Sequence, residues 1–207
     1  MKIPGIIKSI YPGAVWNFKN EKNKIFLTFD DGPDPEVTPK VLQILNKYNA
    51  KATFFCVGEN VKKYPEVLTQ ILKHGHKVGN HTFNHLKGWQ TNTNYYIKNV
   101  ELAANYIKSN LFRPPYGRIK RSQYKILKKK YKIIFWDVLS FDYSKRISKE
   151  NCARKVIKNT KSGSIIVFHD AIKMKEKVLY ALPLILEYFC NKGYIFNCID
   201  DIPDETN

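Results

Sequence analysis

No stretch of the 207-residue chain approaches the roughly 18 consecutive apolar residues that a membrane-crossing helix requires. The opening residues scatter Ile3, Ile6, Ile7 and Ile10 among Pro4, Gly5, Lys8 and Ser9. This falls short of the roughly 7–15 successive apolar residues of a signal-peptide core. Export is therefore unsupported, and a cytoplasmic or membrane-peripheral location is expected. Cysteine is scarce: Cys56, Cys152, Cys190 and Cys198 have neither CxxC spacing nor a companion histidine. A cysteine-based metal site is thereby left out, and reduced thiols in or near the core are expected, although Cys190 and Cys198 could meet across the final turn. No internal repeat, low-complexity segment or linker interrupts the chain. Acidic residues are also few, 18 against 35 basic ones, for a formal charge of +17. Such a field attracts anionic surfaces. The densest basic stretch, residues 118–132, interleaves Ile119, Tyr124, Ile126, Leu127 and Tyr131, as a surface helix with a solvated basic face does. It carries no recognised nucleic-acid motif, so no nucleic-acid partner is expected. Contact with an anionic or membrane surface through the basic face stays open.

What the chain does contain is a regular alternation of short apolar runs with segments of helical period. Such alternation specifies parallel strands joined by crossover helices. Strands are expected over 25–29, 52–57, 77–79, 111–113, 133–138, 164–168 and 194–198. Helices are expected over 39–48, 66–73, 95–108, 122–130, 149–159 and 178–190, with Thr38 placed to cap the first and Pro39 at its first position. Seven or so β/α units in one unbroken chain favour a single-domain α/β fold, a (β/α) barrel, incomplete if need be, over an open sheet. In a barrel the reactive groups belong at the C-terminal ends of the strands. Asp30, Asp31 and His169 all stand where an apolar run stops, and His81 and His85 follow one closely.

Two segments concentrate the chemistry: Thr28-Phe29-Asp30-Asp31-Gly32-Pro33-Asp34 and His81-Thr82-Phe83-Asn84-His85. A catalytic zinc-like cation takes about three nitrogen or oxygen ligands and keeps a position open. Asp31, His81 and His85 supply that number, which leaves Asp30 to take a proton from water activated by the cation. Taken alone, either segment has a plain structural explanation, a turn for Asp-Asp-Gly-Pro and a polar helix face for the histidines. Two imidazoles and a carboxylate suit one divalent ion, zinc with cobalt or nickel as alternatives. Among the aromatic residues Trp16, Phe18, Trp89 and Trp136, Trp89 is the best placed as an exposed platform for a sugar ring. His74 and His76 fit no such pattern and are expected to be structural or exposed.

In order along the chain stand the two segments above, then Arg113-Pro114-Pro115-Tyr116-Gly117, the segment 136–143, and Ile165-Ile166-Val167-Phe168-His169-Asp170. This series closely resembles the NodB-type polysaccharide deacetylases of carbohydrate esterase family four, over about residues 24–200. The resemblance implies a distorted β/α barrel and metal-assisted removal of acetyl groups, mostly from N-acetylglucosamine units. It makes Asp30 the general base and Asp31, His81 and His85 the metal ligands. His169 is then the general acid, Asp142 its partner, Arg113 the residue that orients Asp30, and the Tyr116 N–H a donor to the oxyanion. Arg113 is expected to contact Asp30 through two hydrogen bonds. Tyr143 stands where many relatives have tryptophan, and with Val167 it would line the pocket for the acetyl methyl. Asp137 competes with Asp142 for the place beside His169. Residues 1–23 are expected to form an extension packed on a catalytic domain of residues 24–207. The implied partner is an acetylated carbohydrate, polymeric, oligomeric or conjugated, acted on by a monomer. Hydrolysis of another amide, cyclic or formylated, and a catalytically idle carbohydrate-binding domain are the alternatives.

Overall fold

A computed structural model describes residues 9–199. Eight parallel strands curl into a half-barrel, with helices packed on its outer face. The strands are β1 (Lys24–Asp30), β2 (Ala52–Cys56), β3 (Lys77–Asn80), β4 (Leu111–Phe112), β5 (Lys132–Ile133), β6 (Val138–Leu139), β7 (Ile165–His169) and β8 (Ile195–Phe196). Their order is β5-β4-β3-β2-β1-β7-β6, and β8 pairs with the start of β1. Among the described residues seven α-helices fill the connections: α1 (Thr38–Lys47), α2 (Gly58–Lys63), α3 (Pro65–Lys73), α4 (Thr93–Ala104), α5 (Arg121–Leu127), α6 (Lys149–Asn159) and α7 (Lys175–Cys190). No helix among the described residues is long and apolar enough to cross a membrane.

The two-residue period of a strand explains how β1 serves both core and site. Ile25, Leu27 and Phe29 point outward into the cluster formed with α1, α6 and α7, beside Phe54, Ile166 and Phe168. Each such fully buried side chain contributes roughly 1.5–3 kcal/mol. Phe26 points inward to Phe55, Leu111 and Ile165, so Thr28 and Asp30, on the same parity, also face the barrel interior. Strand β7 repeats the pattern, and its register sets Asp30 directly across from His169. The core therefore dictates which of two adjacent positions turns toward the cleft.

Three local expectations change. The apolar run at 133–138 is not one strand: β5 ends at Ile133, β6 begins at Val138, and Ile134 between them bridges Val15. The carbonyls of Ile134 and Phe135 are taken by Arg113, and Asp137 turns back to accept the Ile165 N–H. Helix α2 is an element that apolar periodicity does not announce, because only Gly58 and Val61 of its residues are buried. Thr38 does not cap α1; the helix already includes it, and the Asp34 carboxylate accepts the N–H groups of Glu36 and Val37 instead. Along the N-terminal segment, Val15 exchanges hydrogen bonds with Ile133 and Phe135, and the Phe18 N–H donates to the Gly163 carbonyl. No disulfide joins Cys56, Cys152 or Cys190 to another cysteine.

Candidate active site

A cavity of about 1030 Å³ opens at the C-terminal ends of the strands, and Asp30, Asp31, His81, His85, Asp142 and His169 line it. It stands at the upper end of the ~300–1,000 Å³ usual for small-molecule sites. Asp31 leaves β1 with φ at 78°, which turns its side chain away from the path that Asp30 follows. The turn is tied on both sides. Asn60 of α2 donates to the Asp31 carbonyl at 2.7 Å, and the Gly32 N–H donates to Asp170 at 3.1 Å. Asp170 is fully buried and also accepts the Thr38 hydroxyl. Burial, with the nearby charge of Asp31, pushes the Asp170 carboxyl up to about 7. A side chain at position 32 would force Asp170 to shift, because a Cβ would stand 2.2 Å from its carboxylate.

Asp31, His81 and His85 each offer one ligand atom, and these atoms lie within 4.8 Å of one another. His85 Nε2 is 3.0 Å and His81 Nε2 3.6 Å from Asp31 Oδ1, a buried oxygen with no hydrogen-bond partner. His81 is almost fully buried, and its Nδ1 lies 2.7 Å from the Arg113 carbonyl. That carbonyl can only accept, so Nδ1 carries the proton and the Nε2 lone pair is aimed at Asp31. Three acceptors thus converge, as around a divalent cation.

Arg113 crosses the barrel interior with no solvent exposure. Its Nη1 donates to Asp30 Oδ1 at 2.7 Å and to the Thr28 hydroxyl at 2.6 Å. Nε and Nη2 donate to the carbonyls of Ile134 and Phe135, and the guanidinium lies 4.1 Å from the centre of the Phe55 ring. The expected two-bond contact with Asp30 is therefore one bond, with the other donors turned to Thr28 and to the broken strand. Asp30 Oδ2, left over, is 4.0 Å from His81 Nε2.

Across from these groups, His169 Nδ1 lies 2.8 Å from Asp142 Oδ1, and the His169 main-chain N–H donates to Asp142 Oδ2 at 2.7 Å. Burial works against a charged His169, but the Asp142 carboxylate overcomes it and lifts the imidazole to about 9. Asp142, and not Asp137, is the carboxylate on His169; Asp137 is occupied by Ser164, Ile165 and Asn17. Tyr143 packs its ring edge-on to His169 at 5.5 Å, and with Val167 it lines the cavity. Tyr116 lines the opposite wall at φ 60°, its ring 4.7 Å from that of His85. Trp89 is exposed and does not line the cavity; its indole N–H donates to the Ile119 carbonyl, and Arg118, which does line it, covers the ring. His76 is buried and accepts the Ala52 N–H, and burial presses it down to about 4, a neutral structural residue. Sequence reasoning passed over Asp170 and Asn60, which hold the Asp31 turn. A buried aspartate directly after a strand-end histidine was the available signal for the first; the second had none.

Residues 18–132 match the family described as polysaccharide deacetylase. A peptidoglycan-N-acetylglucosamine deacetylase from Bacillus cereus is 35% identical over 199 residues, covering 91% of this chain and 92% of the relative. A chitooligosaccharide deacetylase from Azorhizobium caulinodans is 32% identical over 177 residues, 81% of this chain and 83% of its own. Among solved structures, a peptidoglycan N-acetylglucosamine deacetylase in complex with 4-naphthalen-1-yl-N-oxidanyl-benzamide superposes with a TM-score of 0.84, at 31% identity and over 95% of each chain. The half-barrel, the converging Asp-His-His cluster and these matches together place the chain in the polysaccharide deacetylase family.

Proposed function

We propose that the chain is a metal-dependent hydrolase that removes N-acetyl groups from N-acetylglucosamine-type units of a polysaccharide, oligosaccharide or glycoconjugate. The observation that carries this reading is the convergence of Asp31, His81 and His85 beside a base and an acid at the floor of one cleft. A divalent cation held by these three residues, zinc with cobalt or nickel as alternatives, would polarise the acetyl carbonyl and lower the pKa of water. Asp30 is the general base: Arg113 holds its Oδ1, and Oδ2 is left to take the proton of the attacking water. The Tyr116 N–H is assigned to the developing oxyanion. His169 is the general acid. Its Nδ1 proton is committed to Asp142, so Nε2 delivers a proton to the departing amine, which is a poor leaving group without one. Tyr143 and Val167 border the acetyl methyl. The catalytic unit is assigned to residues 24–207, with 1–23 as an extension packed on it; the bonds of Val15 and Phe18 support the packing, while residues 1–8 and 200–207 lie outside the described residues. A monomer is proposed as the acting unit.

Acetate release from N-acetylglucosamine oligomers and peptidoglycan fragments by zinc-loaded protein tests the reading, beside Asp30→Asn and a chelated sample. Release that stops in both controls is expected. Metal uptake without release from any acetylated sugar would move the assignment to another amide.

A further inference from the structure

Five cations line the cavity above its catalytic floor: Lys87, Arg118, Lys145, Lys173 and Lys177. Among the described residues no acidic residue other than Asp30, Asp31 and Asp142 lines it, and each of those three is engaged with Arg113 or a histidine. The sheet order divides the cations into two groups. Lys87 and Arg118 follow β3 and β4, on one side of β1, whereas Lys145, Lys173 and Lys177 follow β6 and β7, on the other. A sugar chain laid across the end of β1, with its acetamide at Asp30 and Asp31, meets positive charge on both sides of the reacting unit. Lys87 and Arg118 lie over the rings of Tyr116 and Trp89, and Lys177 donates to the Ser144 carbonyl. Three of the five are thus tethered at the cleft. Chitin-type oligomers carry nothing that would answer this field.

Resting on the deacetylase reading above, we infer that the substrate is a glycan with anionic groups, carboxylate or phosphate, on the sugars that flank the reacting acetamido unit. Opposed cationic walls raise the local concentration of such a polymer and set which of its units reaches the floor.

The test compares peptide-free peptidoglycan strands, which carry lactyl carboxylates, with the same strands after methyl esterification. A phosphodiester-linked N-acetylglucosamine oligomer forms the third arm and tells phosphate from carboxylate. At about 25 mM salt, kcat/KM on the acid strand is expected to exceed that on its ester by on the order of tenfold. At about 300 mM the gap closes, because exposed charges are then screened within a few ångströms. Lys87→Gln combined with Lys173→Gln, one from each wall, is expected to reduce the acid-to-ester ratio by at least about threefold. Equal kcat/KM on acid and ester strands at low salt overturns the inference and leaves the deacetylase reading standing. If no strand releases acetate, that reading fails, and titration of the protein with acid and esterified strands still decides the inference. Tighter binding of the acid strand supports it, and equal binding overturns it.

Discussion

The cleft floor holds two clusters made of the same residue types that behave in opposite ways. In one, Asp31, His81 and His85 aim three acceptors at a common point, and a buried carboxylate oxygen there has no donor. In the other, Asp142 and His169 satisfy each other, since the carboxylate takes both the ring proton and the main-chain N–H of the same residue. What separates them is the group behind the imidazole. A carbonyl behind His81 Nδ1 leaves a lone pair facing Asp31, whereas a carboxylate behind His169 Nδ1 favours the fully protonated ring. The first arrangement calls for a cation and the second stores a proton.

Substitution can pull the two apart. The largest effect is expected from Asp31→Asn, which removes the anionic ligand: metal content of the purified protein drops to background and acetate release with it. His169→Ala, by contrast, should retain the metal while kcat falls by about 10²–10⁴-fold, the usual worth of a positioned acid. Metal loss in His169→Ala, read by elemental analysis, would show that the clusters are not separable.

Asp142→Asn is expected to act less strongly and on the pH profile. His169 is active as the imidazolium, which exists below its pKa of about 9, so activity persists through neutral pH and falls as pH rises through that value. Without the Asp142 charge, burial is opposed only by the charges of Asp31 and Asp30, and the alkaline limb moves down toward the ordinary value of about 6.5. The same raised pKa also contributes stability that is complete below about 6.5 and is lost as pH climbs through about 9. Smallest is Gly32→Ala, whose new methyl must displace Asp170 and with it the Asp31 turn. It should cost about 1–3 kcal/mol in a urea titration and weaken metal binding by roughly 10–100-fold. The alkaline limb set by His169 should stay in place.

Much of this arrangement is legible from side-chain identity. Adjacent carboxylates at the end of an apolar run, a histidine pair at a spacing of four and a histidine closing a late strand mark five of the six groups on the floor. Strand alternation then separates Asp30 from Asp31. What is not legible depends on the main chain. The partner of His81 is a carbonyl, which any residue carries. Arg113 makes one bond to Asp30 and turns its other donors to the Thr28 hydroxyl and to two peptide oxygens of the apolar run at 133–138, which breaks there. Asp137 and Asp142 are equivalent in sequence; only the register of β6 against β7 sends one to Ser164 and the other to His169.

The hydrogen bonds of Val15 and Phe18 carry a consequence for synthesis. Their partners, Ile133, Phe135 and Gly163, are made long after the segment that needs them. At ~5–20 residues per second, the first part of the chain emerges from the ribosome on the order of ten seconds before Gly163 exists. The segment that carries the isolated bridges at Val15 and Asn17 is thus made well before its partners, and it can complete its docking only once Ser164 has been added.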